Sequence, residues 1–366
     1  MIFNNIFYGK TVLITGHTGF KGSWLSMWLK SLGANVIGIS IDIPTEPSHF
    51  RATQLEKLIE DYRLDIRDTN ALNNLIKKLK PSFVFHLAAK ALVRPSYLNP
   101  LETISTNAYG TISLLEALRG LEEKTVAIII TSDKVYTNKE WIWGYRETDR
   151  IGGQDPYSAS KGMAEIAINS YVKSFFNDPN SHIRIGIGRA GNVIGGGDWA
   201  KDRLIPDVMK AASNNKAVNI RYPSSTRPWQ HVMEPISGYL TLASNLYSDR
   251  EIHGGAFNFG PLSNQNFTVS ELIEEMQKNW GKIKWNDDSV PHEQFYEAGL
   301  LKLDIDKAIS KLNWYPVLSF EETISLTVEW YRKFYEDKKT LMNDITSNQI
   351  DRYIAVATDR NLNWTS

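Results

Sequence analysis

The sequence contains no cysteine. This absence excludes disulfide bonds, thiolate metal ligands and cysteine nucleophiles, and it fits a reducing compartment. The chain also lacks an excess of either charge, because 41 basic and 41 acidic side chains give a formal net charge of zero. We therefore expect no nucleic-acid partner and no anionic membrane surface.

Long apolar runs are missing as well. No stretch approaches the ~20 consecutive apolar residues of a transmembrane helix, and the start MIFNNIFYGK has no basic segment followed by an apolar core, as a signal peptide would. We expect a cytoplasmic protein with no membrane partner, and we predict no metal site. The 366 residues, 42% of them hydrophobic, suffice for one large or two coupled α/β domains.

The first half of the chain alternates between two kinds of segment. Segments with helical periodicity separate short aliphatic runs, which are typical of parallel strands buried on both faces. This alternation predicts an α/β fold, a doubly wound parallel (Rossmann-like) sheet over residues 1–190. The predicted strands are 11–15, 35–39, 83–88, 126–131 and 183–188, and the predicted helices are 20–32, 70–79, 99–119 and 157–176.

The second half is less regular. We predict a smaller mixed α/β substrate lobe over residues 191–340, with segments near 229–258 returning to the first domain, and a polar tail over 341–366. Thr268 and Glu271 have the spacing of a capping box, which predicts that a helix begins there.

A glycine-rich turn follows the first predicted strand. Gly16, Gly19 and Gly22 form a G-x-x-G-x-x-G pattern between a strand and a helix. Missing side chains let backbone N–H groups and the helix N-terminus approach a pyrophosphate, so the pattern predicts a dinucleotide site. The pattern alone could also be a plain turn; its position between strand and helix favours the site.

The end of the second strand lacks the acid that usually holds the adenosine ribose. Ser40 stands there, and Asp42 is either a displaced ribose ligand or a solvated loop residue. The nearest arginine along the chain that could favour a 2′-phosphate, Arg51, lies well beyond. The sequence therefore favours NAD, with less support than usual.

Three further polar residues have competing interpretations. Asp65 could reach the adenine amine or be a surface acid. His86, inside an apolar run, is predicted to be a core histidine whose hydrogen bonds are satisfied. Asn107 is either a brace for the active-site backbone or an exposed helical amide.

Tyr157 and Lys161 share a face at the start of a predicted helix. An ammonium near a phenol favours the phenolate, so Tyr157 could act as a general base. The spacing occurs a second time at Tyr335 and Lys339, where Tyr335 lies on an apolar helical face and is predicted to pack in the core.

The stretch TSDKVY places Ser132, Asp133 and Lys134 at the end of an apolar strand. Burying such groups costs several kcal/mol each unless they are paired or functional. Asp133 and Lys134 could simply neutralise each other, but their position beside a Ser–Tyr–Lys set predicts a catalytic role.

Five motifs together resemble the extended short-chain dehydrogenase/reductase superfamily: GHTGFKG, HLAA, TSDKVY, PYSASK and RAGNVIGGGD. Within it the chain is similar to the nucleotide-sugar 4,6-dehydratases over about residues 10–340. The start GHTGFKGSWL, the Asp-Lys pair and RPWQHV are most similar to the members that act on CDP-glucose.

The resemblance implies two sets of binding residues. The NAD site would comprise Gly16, His17, Gly19, Phe20, Lys21, Gly22, Asp65, Ile66, Leu87, Ala88, Ala89, Asn107, Tyr157 and Lys161. The sugar-nucleotide site would comprise Asn192, Arg203, Arg221, Arg227 and Asn258. The arginines suit a diphosphate on chemical grounds, since guanidinium pairs bidentately with phosphate. Without the resemblance, each of them would be interpreted as a surface arginine.

The resemblance also implies a hydro-lyase reaction in which NAD is regenerated. Tyr157 would take the proton of the C4 hydroxyl, with Ser132 hydrogen-bonded to the same oxygen, as hydride passes to NAD⁺. The new ketone acidifies C5, and Asp133 would protonate the departing C6 hydroxyl. Hydride would then return to C6, and C5 would be reprotonated. The product is a 4-keto-6-deoxy sugar nucleotide, which would feed bacterial O-antigen synthesis.

The base at C5 is left open by the sequence. The related dTDP-glucose enzymes carry a glutamate where this chain has Lys134. A neutral Lys134 could be the base, or a charged Lys134 could stabilise the enolate while another group moves the proton.

Alternative functions are a nucleotide-sugar 4-epimerase, a dehydratase for another nucleoside-diphosphate hexose, a ketone reductase and a non-enzymatic dinucleotide sensor. An epimerase needs neither the acid nor the C5 base, and a sensor needs no Ser–Tyr–Lys set. Family resemblance further implies a homodimer formed through two helices per subunit, which the predicted long helices 99–119 and 157–176 permit.

Overall fold

The computed structural model describes residues 1–263, 265–288 and 300–366. The strands are β1 Thr11–Thr15, β2 Asn35–Ser40, β3 Glu60–Arg63, β4 Phe83–His86, β5 Thr125–Ile130, β6 Ile183–Ala190, β7 Val193–Ile194, β8 Ala217–Ile220, β9 Thr226–Arg227, β10 Gln230–His231, β11 Ala256–Phe259, β12 Phe267–Thr268 and β13 Lys284–Asp287. The α-helices are α1 Phe20–Ser31, α2 His49–Ala52, α3 Thr69–Leu79, α4 Val93–Leu98, α5 Pro100–Ile104, α6 Gly110–Arg119, α7 Pro156–Tyr171, α8 Leu204–Ser213, α9 Met233–Ser248, α10 Val269–Asn279, α11 Asp306–Leu312, α12 Phe320–Glu336 and α13 Met342–Asp359.

A seven-stranded parallel sheet lies at the centre, in the order β11-β6-β5-β4-β1-β2-β3. The predicted doubly wound parallel sheet is thereby confirmed. The order reverses between β1 and β4, and in such sheets ligands bind beyond the carboxyl ends of the strands at this reversal. The glycine turn after β1 opens at that position.

The two faces of the sheet carry separate core clusters. Leu13 and Val84 face the side covered by α3 and α6, whereas Val12 and Phe85 belong to the larger cluster that also contains Trp24 of α1. Neighbouring strand residues point to opposite faces, so continuous aliphatic runs cover both.

Two long helical runs match the predicted helices 99–119 and 157–176. In the first, a π-helical segment, Ser105–Tyr109, joins α5 to α6. In the second, α7 continues into the π-helical segment Val172–Phe176. Such segments are frequent at functional sites.

The second half of the chain supplies small two-stranded sheets, which pair β7 with β10, β8 with β13 and β9 with β12. The predicted capping box is confirmed, because the Thr268 side chain accepts a hydrogen bond from the Glu271 backbone and the Glu271 side chain accepts one from the Thr268 backbone. Strand β11 pairs with β6 in the main sheet, so the chain does return to the first layer near the predicted range 229–258. The boundaries at 190 and 340 stay predictions.

The interpretation of 341–366 as a polar tail is wrong. Residues Met342–Asp359 form the 18-residue helix α13. Tyr353 and Trp364 are buried, and Trp364 stacks on Phe3 with ring centroids 5.1 Å apart. The segment reads as polar because few apolar residues, spaced three or four apart, provide the packed face.

Within the described ranges, no helix is long and apolar enough to cross a membrane. In the same ranges, no group of three or more His, Asp or Glu side chains is arranged to hold a metal ion.

Candidate active site

The glycine turn packs so tightly that side chains would not fit. Gly16 has φ +79°, and a Cβ there would lie 2.6 Å from the Ala88 nitrogen. A Cβ on Gly22 would lie 2.1 Å from the carbonyl oxygen of Gly16. The turn thus brings bare backbone to the N-terminus of α1, which is the arrangement a pyrophosphate requires.

His17 fills the space behind this turn. It is fully buried, with Nε2 3.0 Å from Asp61 Oδ1 and Nδ1 3.0 Å from Ser40 Oγ. Burial lowers the pKa of His17, although the nearby Asp61 opposes this effect. Ser40, at the usual ribose position, therefore hydrogen-bonds to His17.

An arginine does stand near the end of β2, contrary to the expectation from the sequence. Arg63 lies opposite Ser40 in the register of β2 and β3, and its Nη1 donates to the carbonyl of Asp42 at 3.1 Å. The Asp42 side chain is exposed. Arg63 is distant from the end of β2 along the chain, and only the pairing of β2 with β3 brings it next to Ser40. The sequence alone therefore did not identify it.

The predicted adenine residues sit at the end of β3. The Asp65 carboxylate accepts hydrogen bonds from Arg67, which lowers the pKa of Asp65. Ile66 is buried against Gly110, where a Cβ would come within 2.5 Å of the Ile66 side chain.

The backbone after β4 closes the other side of the glycine turn. The Leu87 nitrogen donates to the carbonyl of Thr15 at 2.9 Å, and the Ala88 nitrogen donates to Thr15 Oγ1 at 3.2 Å. Ala89 continues this loop toward Lys90.

Asn107 holds the end of that loop. Its Oδ1 accepts from the Lys90 nitrogen at 2.8 Å, and its Nδ2 donates to the Lys90 carbonyl and to Ser160 Oγ. Asn107 therefore joins the loop after β4 to helix α7, which is the bracing contact the sequence suggested.

His86 is a core histidine, as predicted. It is 3% exposed, with Nδ1 2.7 Å from Thr15 Oγ1 and Nε2 3.1 Å from Thr111 Oγ1. Burial lowers the pKa of His86 to about 3, so this side chain is neutral.

Tyr157 and Lys161 lie on the first two turns of α7, which Asp155 caps by accepting from the Ser158 nitrogen. Burial raises the pKa of Tyr157 to about 12, an effect partly offset by its hydrogen bond with Ser132. Burial also lowers the pKa of Lys161 to about 7. In the protein alone, burial thus opposes the phenolate that the sequence predicts. The second pair differs, since Tyr335 is part of the core contacts and accepts a hydrogen bond from Trp199.

Ser132, Asp133 and Lys134 form a tight turn at the end of β5. Ser132 Oγ donates to Asp133 Oδ1 at 2.9 Å and accepts from the Lys134 nitrogen at 3.2 Å. Asp133 is 4% exposed, and a Cβ on Gly191 would lie 2.1 Å from its Oδ2. No ion pair joins Asp133 to Lys134, both of which the structure describes, so mutual neutralisation does not explain the pair.

A buried ion pair holds the residues on either side of this turn. Arg189 of β6 pairs with Glu165 of α7, and their side chains are 2% and 0% exposed. Glu165 Oε1 accepts from Thr131 Oγ1 at 2.6 Å, just before the turn, and Arg189 Nη1 donates to Tyr136 OH at 2.6 Å, just after it. The sequence interpretation missed this pair; the spacing of Glu165 four residues after Lys161 was the available signal.

Further charges converge on Asp133. Burial lowers the pKa of Lys21 to about 8; Arg203 adds to this effect, while Asp133 and Asp198 oppose it. Arg203 Nη1 donates to Asp198 Oδ2 at 2.7 Å. Lys21, predicted for the cofactor, thus lies in the same charged group as the candidate acid.

A cavity of about 340 Å³ opens in front of the turn. Its cationic lining comprises Arg94, Lys134, Lys201 and Arg203. The lining also holds Asp155 and Asp202, and Asp202 Oδ1 lies 3.7 Å from Arg94 Nη1. The remaining excess of positive charge suits an anionic ligand such as a diphosphate. The sequence did not single out Arg94 or Lys201.

A smaller pocket lies beside Asp133 and is lined by Asn192 and Gln230, among others. Gln230 Nε2 donates to the Gly191 carbonyl at 2.9 Å and so fixes the backbone against Asp133.

Phe20, predicted for the cofactor site, begins α1 and packs close to Gly195, where a Cβ would lie 3.2 Å from its ring.

The predicted substrate residues do not all converge. Asn192 and Arg203 line the two cavities, whereas Arg221 is exposed and Arg227 lies in β9, outside the described cavity linings. Asn258 is fully buried; it accepts from Tyr136 OH at 2.8 Å and donates to the Tyr145 carbonyl at 2.8 Å. Its contacts are those of a brace, and direct substrate contact stays a prediction.

Comparison with known proteins identifies relatives over nearly the whole chain. The family model for GDP-mannose 4,6 dehydratase matches residues 13–327. The chain is 46% identical to a CDP-glucose 4,6-dehydratase of Salmonella typhimurium, over 98% of this chain and 100% of that protein. It is 26% identical to a dTDP-glucose 4,6-dehydratase of Shigella flexneri, over 87% of this chain and 92% of that protein.

Solved structures share the fold. An epimerase of Methanothermobacter thermautotrophicus superposes with a TM-score of 0.78 at 25% identity, covering 91% of this chain and 95% of that one. A UDP-glucuronic acid 4-epimerase of Bacillus cereus, in complex with UDP-glucuronic acid and NAD, has a TM-score of 0.75 at 26% identity and covers 89% of this chain and 100% of that one.

Proposed function

We propose that this chain, which belongs to the GDP-mannose 4,6 dehydratase family, is a hydro-lyase that converts CDP-glucose to CDP-4-keto-6-deoxyglucose and water. One observation carries the proposal: the buried carboxyl of Asp133 lies between Ser132 and Gly191, beside the Tyr157 phenol. The name of the relative with 46% identity supports the choice of CDP-glucose.

The glycine cradle fits an NAD pyrophosphate, and a related epimerase binds NAD in its solved complex. Gly16, Gly19 and Gly22 would hold the pyrophosphate, and Asp65 with Ile66 would flank the adenine. When bound, NAD⁺ supplies the acceptor for the C4 hydride, returns it to C6, and adds a positive charge that favours the Tyr157 phenolate.

Tyr157 is proposed as the base for the C4 hydroxyl. Ser132 would donate a hydrogen bond to the same oxygen, since its Oγ already lies within reach of the phenol. Lys161 would stabilise the phenolate from the next turn of α7. This assignment needs the positive charge of the bound cofactor, because burial alone keeps Tyr157 protonated.

Asp133 is proposed as the acid for the C6 hydroxyl. Once C4 is a ketone, loss of the C5 proton and of the C6 hydroxyl forms the C5–C6 double bond. Asp133 would give its proton to that hydroxyl, which leaves as water. Its 4% exposure keeps bulk water from competing for the proton.

Lys134 is proposed to act at C5. It is half-buried and lines the 340 Å³ cavity. Either its neutral amine removes the C5 proton or its ammonium stabilises the enolate oxygen while a second group removes that proton.

The diphosphate is proposed to lie along the cationic side of the cavity, near Arg94, Lys201 and Arg203. Asn192, Arg221, Arg227 and Asn258 stay candidates for the rest of the sugar nucleotide. These side chains would bind the phosphate groups, which every nucleoside diphosphate carries. They therefore do not select the nucleobase.

A homodimer is proposed through the two long helical runs, which pack against each other. Large apolar side chains are exposed on both: Leu101 is 82% exposed and Ile166 is 63% exposed. A second copy of the chain would remove this surface from water. We further infer a cytoplasmic enzyme whose product supplies deoxysugars for O-antigen.

Two experiments test the proposal. Purified protein is incubated with NAD⁺ and, separately, with CDP-, dTDP-, UDP- and GDP-linked hexoses, and mass spectrometry follows the loss of one water. We expect loss of water from CDP-glucose. A new sugar isomer without loss of water would identify a 4-epimerase instead.

The second experiment addresses C5. Lys134→Met is assayed in D₂O for entry of deuterium at C5, and the matched control is Lys139→Met, a lysine whose Nζ lies 5.5 Å from the Trp141 ring. We expect exchange to fall in Lys134→Met and to persist in the control. Undiminished exchange in Lys134→Met would remove Lys134 from the mechanism.

A further inference from the structure

The proposed reaction leaves two side chains in the wrong protonation state after each turnover. Tyr157 takes a proton from the C4 hydroxyl, and Asp133 gives a proton to the departing C6 hydroxyl. The hydride removed from C4 returns to C6, and C5 loses one proton and regains one. Tyr157 therefore ends with one proton more than it had at the start, and Asp133 ends with one fewer. A proton must pass from the phenol to the carboxylate before the next turnover can begin.

Burial restricts exchange of this proton with bulk water. Tyr157 is 7% exposed and Asp133 is 4% exposed. A Cβ on Gly191 would lie 2.1 Å from Asp133 Oδ2, so the backbone of the following loop packs directly against the carboxylate. A route through solvent would need two separate steps, one that takes the proton from Tyr157 and one that delivers a proton to Asp133.

Ser132 offers a direct route between the two groups. Its Oγ donates to Asp133 Oδ1 at 2.9 Å and accepts from the Lys134 nitrogen at 3.2 Å. A serine hydroxyl has one proton and two acceptor positions, so one acceptor position is left for the phenol. Tyr157 and Ser132 are hydrogen-bonded, and because the Ser132 proton points to Asp133, the phenol is the donor. The chain of donors therefore runs from Tyr157 through Ser132 to Asp133.

We propose that Ser132 is a proton relay that returns the Tyr157 proton to Asp133 at the end of each turnover. The Tyr157 O–H bond breaks as its proton bonds to Ser132 Oγ, and the Ser132 O–H bond breaks as its proton bonds to Asp133 Oδ1. The net charge of the three groups does not change, so no charge has to enter or leave the buried turn.

The transfer also prepares Ser132 for the next substrate. Every donor in the chain is reversed by it, so that Asp133 donates to Ser132 and Ser132 donates toward Tyr157. This is the direction in which Ser132 would donate to the C4 oxygen of the sugar. The relay rests on the proposed function, because an epimerase does not consume a proton of Asp133.

The first turnover and later turnovers depend differently on the relay. In the first turnover Tyr157 and Asp133 have already equilibrated with solvent, whereas each later turnover has to wait for the proton to return. Protein loaded with NAD⁺ is mixed with CDP-glucose, and rapid-quench mass spectrometry follows the loss of water. Excess protein gives the rate of the first turnover, and excess CDP-glucose gives kcat.

Ser132→Ala removes the relay. Both rates should fall, because the hydrogen bond to the C4 oxygen is lost, but kcat should fall about a hundredfold further, as expected for loss of a positioned proton-transfer group. Imidazole added at constant pH and ionic strength carries protons in place of the hydroxyl. It should therefore raise kcat of Ser132→Ala without changing the rate of its first turnover.

Two variants serve as controls. Ser132→Thr keeps a hydroxyl on the side chain and should keep the wild-type ratio of kcat to the first-turnover rate. Thr131→Val removes the neighbouring hydroxyl, which donates to Glu165 Oε1 at 2.6 Å, and leaves the relay intact. It displaces the turn without interrupting the relay, so it should lower both rates by the same factor.

Equal loss of both rates in Ser132→Ala would overturn the relay and assign the return of the proton to another route, through Lys161 or solvent. A ratio of the two rates in Ser132→Thr or Thr131→Val that matches Ser132→Ala would overturn it as well. Wild-type protein that releases no water from CDP-glucose even in the first turnover would instead refute the proposed function.

Discussion

Removing the charge of Glu165 should destabilise the protein and slow its reaction together. Glu165 and Arg189 are almost completely excluded from solvent. Glu165→Gln keeps the shape of the side chain and an acceptor for Thr131, but it removes the carboxylate that pairs directly with the Arg189 guanidinium. The other hydrogen bonds of Arg189 go to the Tyr136 hydroxyl and to the carbonyl of Glu147.

The size of the effect follows from burial. Removing one member of a buried ion pair costs about 3–5 kcal/mol. A 366-residue chain has an unfolding entropy of roughly 0.8 kcal/mol/K. The melting temperature of Glu165→Gln should therefore fall by about 4–6 °C.

Turnover should fall as well, because Glu165 holds Thr131 directly before the Ser132–Asp133 turn. A displacement of the turn by about 1 Å would lower kcat by up to about a hundredfold. KM for the sugar nucleotide should change little, since the cationic cavity is lined by other residues. Glu165 thus acts as a positioning residue.

Calorimetry and steady-state kinetics measure both effects. The control is Glu251→Gln, which removes one partner of an exposed pair, Lys311 Nζ to Glu251 Oε1 at 3.0 Å; it should cost less than about 1 kcal/mol and leave kcat unchanged. If Glu165→Gln melts within a degree of wild type and turns over normally, the buried pair does not support the turn.

Three other predictions concern single residues. Tyr157→Phe should retain dinucleotide binding by calorimetry and lose nearly all turnover, whereas Tyr335→Phe, which removes only a hydroxyl bonded to a tryptophan, should remain active; an active Tyr157→Phe would exclude the phenol as base. Gly191→Ala should reduce loss of water from the sugar far more than dinucleotide binding, because its Cβ would lie 2.1 Å from Asp133 Oδ2; normal turnover would contradict this packing. Burial raises the pKa of Glu234 to about 7, so the folded protein binds the proton more tightly than the unfolded chain does, and the stabilisation present below about pH 4.5 is lost as the pH rises through 7. Urea unfolding at pH 5.5 and pH 8 should therefore show a smaller pH dependence in Glu234→Gln than in wild type, and equal dependence would refute the titration.

Strand bounds and helix caps could be predicted from the sequence because they depend on residues adjacent along the chain. Strand β1 has its predicted bounds, because a continuous aliphatic run ends at glycine. The capping box at Thr268 and the cap of α7 before Tyr157 are likewise local patterns. Such features need only a few residues of sequence to define them.

Features that depend on distant contacts escaped prediction. Arg63 reaches the ribose end from an adjacent strand, and Arg189 reaches Glu165 across the fold. Helix α13 was not predicted because it has few apolar residues, and their burial depends on a core cluster formed by distant parts of the chain.

The ionisation state of Tyr157 also could not be predicted from the sequence. The sequence gives its spacing from Lys161, which favours a phenolate, but burial is a property of the folded chain. In the structure burial dominates and raises the pKa of Tyr157 to about 12.

The most direct test of the proposed reaction follows the hydride. CDP-glucose deuterated at C4 is incubated with the protein and NAD⁺, and the product is examined by mass spectrometry and NMR. The proposed mechanism predicts a product that has lost one water and carries the deuterium at C6. A product of unchanged elemental composition, with deuterium still at C4, would contradict it and identify an epimerase.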